Sequence, residues 1–206
     1  GATEAVDQAA DEISRLDQLL STGNEDSEIY KINQSGDGIL SEETAYLVER
    51  SLDLYEATDG AFDIAIYPVM KAWGFTDDNF RVPGADELKD LLTLTDASDI
   101  SYDKETSQIA FKKDGMQIDF GGIAKGYTSA RIMDIFRACG IKSGLVNLGG
   151  NVQALGTKKD GSSWRVAVQD PQDTDQYLRV LSIQDKAVIT SGGYERYFEQ
   201  DGRTYH

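Results

Sequence analysis

The segment MQIDFGGIAKGYTSARIMDIF, residues 116–136, places an acid, two glycines and a lysine where an apolar run gives way to a helical pattern. Gly121 and Gly122 would let the backbone approach a ligand closely, and the free N–H groups of a helix start bind anions. Lys125 is unfavourable for the dipole of that helix, which suggests another role. With Asp119 beside them, these residues predict a corner that holds nucleotide phosphates and a metal ion. An ordinary strand-to-helix turn fits the spacing equally well.

Two further segments end an apolar run in paired glycines. VNLGGN at 146–151 carries Asn147, whose amide could bind a ribose, a ring edge or a phosphate. It could also satisfy the backbone of a tight turn, which is the commoner use. TSGGYERYF at 190–198 carries Ser191, which could donate a hydrogen bond to a phosphate, and Tyr194, whose ring could stack on a ligand. A bulged strand explains the same pattern. Together the three corners predict a glycine-lined binding site.

A fourth segment, DGAFD at residues 59–63, sets two acids around a predicted helix end. Asp59 fits a plain helix cap, whereas Asp63 has less polar neighbours. Ser–His–Asp catalysis within these residues is excluded, because the only histidine is the final residue, His206. Cys139 is the only cysteine, which excludes a disulfide framework and a cysteine zinc site here.

The composition limits the ligands and partners. The 206 residues carry a formal net charge of -16, so the chain repels nucleic-acid phosphates. An anionic small molecule would need local cations, such as a metal ion, Lys125 or helix N-termini. Hydrophobic residues make up 40% of the sequence, which predicts a globular fold. No stretch of these residues approaches the roughly 18 apolar positions that span a membrane.

Apolar periodicity predicts an α+β fold, in one domain over residues 1–206. Helical spacing covers residues 3–20, 41–58, 83–94 and 123–139. The face of the first helix is formed by Val6, Ala9, Ile13, Leu16 and Leu20. Alternating spacing predicts a hairpin of ISYD and QIAFKK, a strand over MQIDF, and further strands from residue 144 onward.

The final segment, RYFEQDGRTYH, predicts a hairpin whose second strand has barely begun. An unpaired strand would leave backbone donors and acceptors without partners. We therefore expect the native protein to continue beyond His206, with functional residues there.

Six segments occur in an order typical of one protein family. They are LLSTGNEDSEIYKIN, TDGAFDIAIYPVMKAWGF, IDFGGIAKGYTSARI, VNLGGNVQALG, WRVAVQDP and TSGGYERYFEQDGRTYH. Through these blocks, which cover nearly the whole chain, the sequence resembles the ApbE family of flavin transferases. The resemblance implies a mixed α/β, T-fold-like architecture that is truncated here at its C-terminus.

The resemblance also implies an activity. Enzymes of this family are FAD:protein FMN transferases, which split the FAD pyrophosphate, release AMP and attach FMN to a Thr or Ser hydroxyl of a partner protein. They depend on Mg²⁺ and are usually lipid-anchored outside the cytoplasmic membrane. Their partners are flavoprotein subunits of membrane redox complexes and extracytoplasmic reductases. We expect the same substrate, cofactor, location and partners for this chain.

Site residues follow from the matching motifs and from the glycine corners. The predicted FAD-binding set is Ala61, Phe62, Asp63, Asp119, Lys125, Asn147, Ser191 and Tyr194. The resemblance assigns the first five, and the glycine corners supply the last three. Gly122 matches the family glycine whose backbone carbonyl binds the metal ion.

Two features depart from the family pattern. Gly23 stands where the family usually has an aromatic residue after LST, and losing that face removes about 1–3 kcal/mol of stacking. Tyr30, Trp73 or Tyr194 would be the compensating rings. The family's His-Ile-Ile-Asp-Pro segment, and its Asp and Thr metal ligands, come after the last hairpin. We therefore expect an incomplete metal site here, with the catalytic residues beyond residue 206.

Two other functions fit the same residues. In a Mg-dependent FAD pyrophosphatase, water replaces the acceptor hydroxyl, and Gly23 would make the site looser and wetter. A flavin-binding module without catalysis fits only if the short chain is the biological form. A longer gene that ends in the Asp and Thr ligands would exclude the module.

Overall fold

The computed structural model describes residues 1–193 and 196–206. The chain divides into two compact units, one formed by Arg15–Ala124 and the other by Gly1–Ser14 together with Lys125–His206. The assignment of the whole chain to one domain stays a prediction.

The Arg15–Ala124 unit is mostly helical. Helix α1, Ala2–Leu20, runs into it from the other unit. It is followed by α2, Glu28–Ser35, α3, Glu42–Ala57, α4, Tyr67–Trp73, and α5, Ala85–Leu92. Helices α1, α3 and α5 confirm the predicted segments, whereas α2 and α4 were not predicted as helices.

Ser27 fixes the start of α2. Its hydroxyl accepts a hydrogen bond from the Tyr30 N–H at 2.9 Å, and Gly36 ends the helix with a φ of 80°. The side chains of Ile29, Ile32 and Asn33 are buried. A polar residue therefore shares the buried face of this helix with two apolar ones.

One antiparallel sheet completes this unit. The predicted hairpin is confirmed as β2, Ile100–Asp103, and β3, Gln108–Phe111. A short additional strand, β1, Asp37–Ile39, pairs with the other side of β3.

The predicted strand over MQIDF is wrong. Residues 116–120 belong to no helix or strand, although Met116, Ile118 and Phe120 are buried at every second position. Their backbone bonds to the Asn33 side chain and to the Ile64 carbonyl instead of to a neighbouring strand. The alternation in the sequence therefore records burial of one face, and says nothing about strand pairing.

The other unit contains the first part of α1, helix α6 and the later strands. Helix α6 spans Ala124–Ala138 and confirms the predicted helix. The strands are β4, Gly144–Leu148, β5, Asn151–Leu155, β6, Trp164–Gln169, β7, Tyr177–Ile183, β8, Ala187–Ile189, β9, Phe198–Gln200, and β10, Arg203–Tyr205. They form an antiparallel β4–β5–β8 sheet and the two hairpins β6–β7 and β9–β10.

Two core clusters meet at strand β5. Leu155 joins a cluster with residues of α1 and α6, whereas its neighbour Ala154 joins a cluster with Val166 and Ile183. Successive side chains of a strand point to opposite faces, so this sheet is covered by helices on one side and by the β6–β7 hairpin on the other.

Helix α1 buries part of the predicted face, since Ala9, Leu16 and Leu20 are buried as predicted, whereas Val6 and Ile13 are not. Val6 and Ile13 are 58% and 39% exposed, whereas Ala5 and Ala9 are 1% and 6% exposed. The two alanines pack in the cluster that contains Ile132 of α6. Their small side chains suit close packing against a neighbouring helix.

In the part of the chain that the structure describes, no helix combines the length and the apolar character needed to cross a membrane.

Candidate functional site

Two glycines after Asp119 are required by close contacts. The Asp119 carboxylate accepts a hydrogen bond from the Gly121 N–H at 2.7 Å, and a Cβ on Gly121 would lie only 2.7 Å from that carboxylate oxygen. A Cβ on Gly122 would lie 2.8 Å from the Phe62 ring. The structure thus brings together three of the predicted site residues, Phe62, Asp119 and Gly122.

The backbone at this corner leads directly into helix α6. The N–H groups of Ile123 and Ala124 bond to the Phe120 carbonyl at 2.9 and 2.8 Å. The Asp119 N–H bonds to the Ile64 carbonyl at 2.9 Å, which ties the corner to the loop that carries residues 61–63.

Asp63 holds its own loop in place. One carboxylate oxygen accepts from the Ala65 N–H at 2.7 Å, and the other accepts from the Ala97 N–H at 3.0 Å. Burial raises the pKa of the Asp63 carboxyl, and these two hydrogen bonds oppose that rise. Both oxygens therefore have a structural task, and contact between Asp63 and FAD stays a prediction.

Ala61 and Phe62 are the more accessible members of this loop. Ala61 is exposed, and Phe62 is half-buried with its N–H bonded to the Thr58 hydroxyl at 2.9 Å. The Phe62 ring against Gly122 presents an apolar surface beside a polar backbone. A flat heterocycle could pack on such a surface.

In the other unit, Lys125 meets the second glycine corner. Its ammonium nitrogen would be 3.3 Å from a Cβ on Gly149. Gly149 and Gly150 have φ values of 54° and 84° and form the two-residue turn between β4 and β5. Positive φ at both turn positions is the geometry that glycine pairs favour. Lys125 therefore lies beside the second predicted corner.

Asn147 supports this turn, as its commoner use would suggest. Its side-chain oxygen accepts from the Gly150 N–H at 2.9 Å. Asn147 also lines a cavity of about 310 Å³, together with Gly150, Thr190 and several valines. The amide therefore has a turn role, and its contact with FAD stays a prediction.

The third corner lies beside the second because of the strand register. Asn151 at the start of β5 pairs with Ile189 at the end of β8, which carries the following Ser191 to the Gly150 side of the sheet. Ser191 is exposed. Tyr194 lies outside the described residues.

Magnesium would find few side-chain ligands in the part of the chain that the structure describes. No group of three or more His, Cys, Asp or Glu residues able to hold a metal ion occurs within residues 1–193 and 196–206. Mg²⁺ binds through carboxylates, phosphates and waters in a near-octahedral set. The predicted ligand, the Gly122 carbonyl, is a single backbone oxygen. These residues alone do not fit a complete magnesium site.

One residue that arranges this corner was not found from the sequence. Asn33 bonds to the backbone of Ile118 through both atoms of its amide, at 2.8 and 2.7 Å. The only signal in the sequence was a polar residue next to Ile29 and Ile32 in a short helical stretch.

A protein-family comparison covers nearly the entire chain. A family model described as "ApbE family" matches residues 2–206. A curated relative from Klebsiella pneumoniae (strain 342), named FAD:protein FMN transferase, is 33% identical over 94% of this chain and 61% of its own length. A Treponema pallidum (strain Nichols) protein of the same name is 34% identical over 98% of this chain and 60% of its own. The chain thus spans about 60% of the length of these curated relatives.

Solved structures share the fold. The ApbE protein of Thermotoga maritima has a TM-score of 0.94 and 32% identity, covering 99% of this chain and 67% of its own. Apo flavinyl transferase ApbE of Pseudomonas stutzeri has a TM-score of 0.85 and 30% identity, covering 100% of this chain and 65% of its own. These similarities confirm the predicted mixed α/β fold.

Because burial raises the pKa of Asp63, the contribution of this residue to stability should depend on pH. A carboxyl whose folded pKa is raised stabilises the fold below its ordinary pKa and loses that contribution as the pH rises through the raised value. Asp63→Asn has no ionisable carboxyl at this position and therefore removes this loss of stability. Relative to the wild type, the free energy of unfolding of the variant should therefore increase as the pH rises from the ordinary Asp pKa, about 3.9, through the raised value, measured by urea denaturation.

Asp96→Asn is the matched control. Hydrogen bonds from Ser98 and Tyr55 lower the pKa of Asp96, so its contribution changes only below the ordinary pKa. Its difference from the wild type should stay constant over the same range. If the free energy of unfolding of Asp63→Asn instead decreases relative to the wild type, the hydrogen bonds from the Ala65 and Ala97 N–H groups affect the pKa of Asp63 more than burial does.

Proposed function

The chain belongs to the ApbE family, and we propose that the intact protein is an FAD:protein FMN transferase. It moves FMN from FAD onto a Thr or Ser hydroxyl of a partner protein and releases AMP. The observation that carries the proposal is similarity over 94% and 98% of this chain to two relatives with that name.

The proposed reaction breaks a phosphoanhydride bond and forms a phosphoester bond. The acceptor hydroxyl oxygen attacks the phosphorus on the FMN side of the pyrophosphate, and the bond from that phosphorus to the bridging oxygen breaks. AMP leaves with the bridging oxygen, and the hydroxyl proton passes to a base. Such transfers depend mainly on positioning and on stabilising the phosphate charge.

Lys125 and Asp119 have different tasks in this proposal. The Lys125 ammonium stands in the first turn of a helix, where it and the free N–H groups favour an anion such as the FAD diphosphate. Asp119, held by Gly121, contacts the flavin nucleotide. The net charge of -16 makes a local cation necessary for an anionic substrate.

Magnesium dependence, location and partners belong to the same proposal and are supported by the family resemblance. The Gly122 carbonyl would be one oxygen ligand of Mg²⁺, and the ion would neutralise charge on the diphosphate. The protein works outside the cytoplasmic membrane on a lipid anchor. Its partner is a flavoprotein subunit of a membrane redox complex or an extracytoplasmic reductase.

Gly23 favours a second candidate, a Mg-dependent FAD pyrophosphatase. Gly23 is exposed, and a Cβ there would meet nothing within 4 Å. The space that an aromatic residue usually fills in the family is therefore open to water. Water at the phosphorus in place of a hydroxyl would yield free FMN and AMP.

A mass measurement separates the two activities. The intact protein is incubated with FAD, Mg²⁺ and a Thr-containing acceptor peptide. Transfer adds the mass of FMN, less water, to the peptide. Free FMN and AMP beside an unmodified peptide would reject the transferase in favour of the pyrophosphatase.

Asp119→Ala should reduce FMN transfer by about 100-fold or more, because it removes a contact at the reacting nucleotide. The fold should survive, since the exposed bond to Gly121 contributes only about 1 kcal/mol. Transfer is measured by peptide mass and folding by circular dichroism. Asp119→Asn, which keeps an acceptor for Gly121, separates loop geometry from charge. Near-normal transfer by both variants would remove Asp119 from the site.

Lys125→Ala should mainly weaken FAD binding, by about tenfold or more, because a charge-assisted hydrogen bond to phosphate is lost. Isothermal titration with FAD measures the dissociation constant. Lys89→Ala, on the exposed surface of α5, makes the same change in net charge and should bind FAD normally. Equal dissociation constants for the two variants would argue against a phosphate contact by Lys125.

A further inference from the structure

The buried side-chain amide of Asn33 makes the pair of hydrogen bonds that a neighbouring β-strand would otherwise make. Asn33 is 7% exposed, and its side-chain N–H donates to the Ile118 carbonyl at 2.8 Å while its side-chain oxygen accepts from the Ile118 N–H at 2.7 Å. A neighbouring strand in a ladder would satisfy one residue through the same pair of bonds. Asn33 therefore pins Ile118 from 85 positions away in the sequence.

The residues on either side of Ile118 make separate hydrogen bonds, without a paired donor and acceptor on one backbone residue. The Gln117 amide donates to the Asn33 backbone carbonyl at 3.2 Å and accepts from the Lys71 ammonium at 3.1 Å. The Asp119 N–H bonds to the Ile64 carbonyl at 2.9 Å. Of these contacts, only the Asn33 pair is fully buried on both sides, so it fixes the segment most firmly.

The position of Ile118 controls the corner that follows it. Asp119 is the next residue, its carboxylate closes the turn onto Gly121, and the backbone of Gly122 packs against the Phe62 ring. A shift of Ile118 would move all three, because no strand partner restrains the segment. Small displacements of groups at a reacting centre reduce rates strongly.

We propose that Asn33 is a positioning residue for FMN transfer, holding Ile118 so that Asp119 and the Gly122 backbone stand at the reacting diphosphate of FAD. This inference rests on the proposed function. The side-chain chemistry is specific. An amide offers a donor and an acceptor side by side, a carboxylate of the same shape offers two acceptors, and an alanine offers neither.

Hydrogen exchange tests the anchoring directly, whether or not the protein transfers FMN. The intact wild type is compared with Asn33→Ala, Asn33→Asp and the control Ile32→Val, which trims a buried neighbour in the same helix. Exchange of the Ile118 amide should rise about tenfold or more in both Asn33 variants, relative to the β2–β3 hairpin. It should stay unchanged in Ile32→Val. Equal protection of Ile118 in Asn33→Ala and Ile32→Val would overturn the inference.

Kinetics test the link to the reaction. Both Asn33 variants should lose about 30–100-fold in kcat for transfer, with the KM for FAD within about threefold of the wild type. Ile32→Val should keep kcat within about twofold, even though it also lowers the melting temperature. A merely structural role would lower melting temperature and leave kcat of the folded variants intact, which would refute the positioning role.

The two proposals fail in distinguishable ways. A wild type that neither transfers FMN nor hydrolyses FAD overturns the proposed function and the positioning role together, while the exchange result still decides whether Asn33 anchors Ile118. A wild type that transfers FMN, beside Asn33 variants of normal kcat, overturns only the positioning role.

Discussion

A pair of hydrogen bonds between one side chain and one backbone residue organises the corner at Asp119. The segment before that corner has the alternating burial of a strand but no strand beside it, so its buried N–H and C=O groups need partners from elsewhere. Each such group without a partner would cost about 1–3 kcal/mol. Asn33 supplies both partners for Ile118, one residue before Asp119.

The glycines at the corners serve the protein's own side chains as much as any ligand. Gly121 leaves room for the Asp119 carboxylate, Gly122 for the Phe62 ring, and Gly149 for the Lys125 ammonium. Each contact is closer than a Cβ would allow without movement of its neighbour. The three side chains, which could bind a nucleotide, thus pack directly against glycine backbone, and this contact restricts their positions.

Asp63 and Asp96 show how the same side chain can serve different electrostatic purposes. Burial raises the pKa of Asp63, and hydrogen bonds from Ser98 and Tyr55 lower the pKa of Asp96. Both carboxylates accept N–H groups at the start of a 3-10 turn, at Ala65 and Ser98. Their structural roles are alike, and the difference in pKa follows from the burial of Asp63 and from the side-chain hydrogen bonds that Asp96 accepts.

The sequence by itself determined the elements whose signals are local. Helices α3, α5 and α6 and the β2–β3 hairpin follow from periodicity and turn residues, and the order of motif blocks identified the family. Asp119, Gly122 and Phe62 were each predicted as site residues, and their contact with FAD or a metal ion stays a prediction. Only the tertiary structure decided that MQIDF is not a strand, that Asn147 braces a turn, and that Asn33 anchors Ile118. The physical reason is that periodicity reports which face is buried, whereas the partner of a buried polar group depends on residues brought together only by the folded chain.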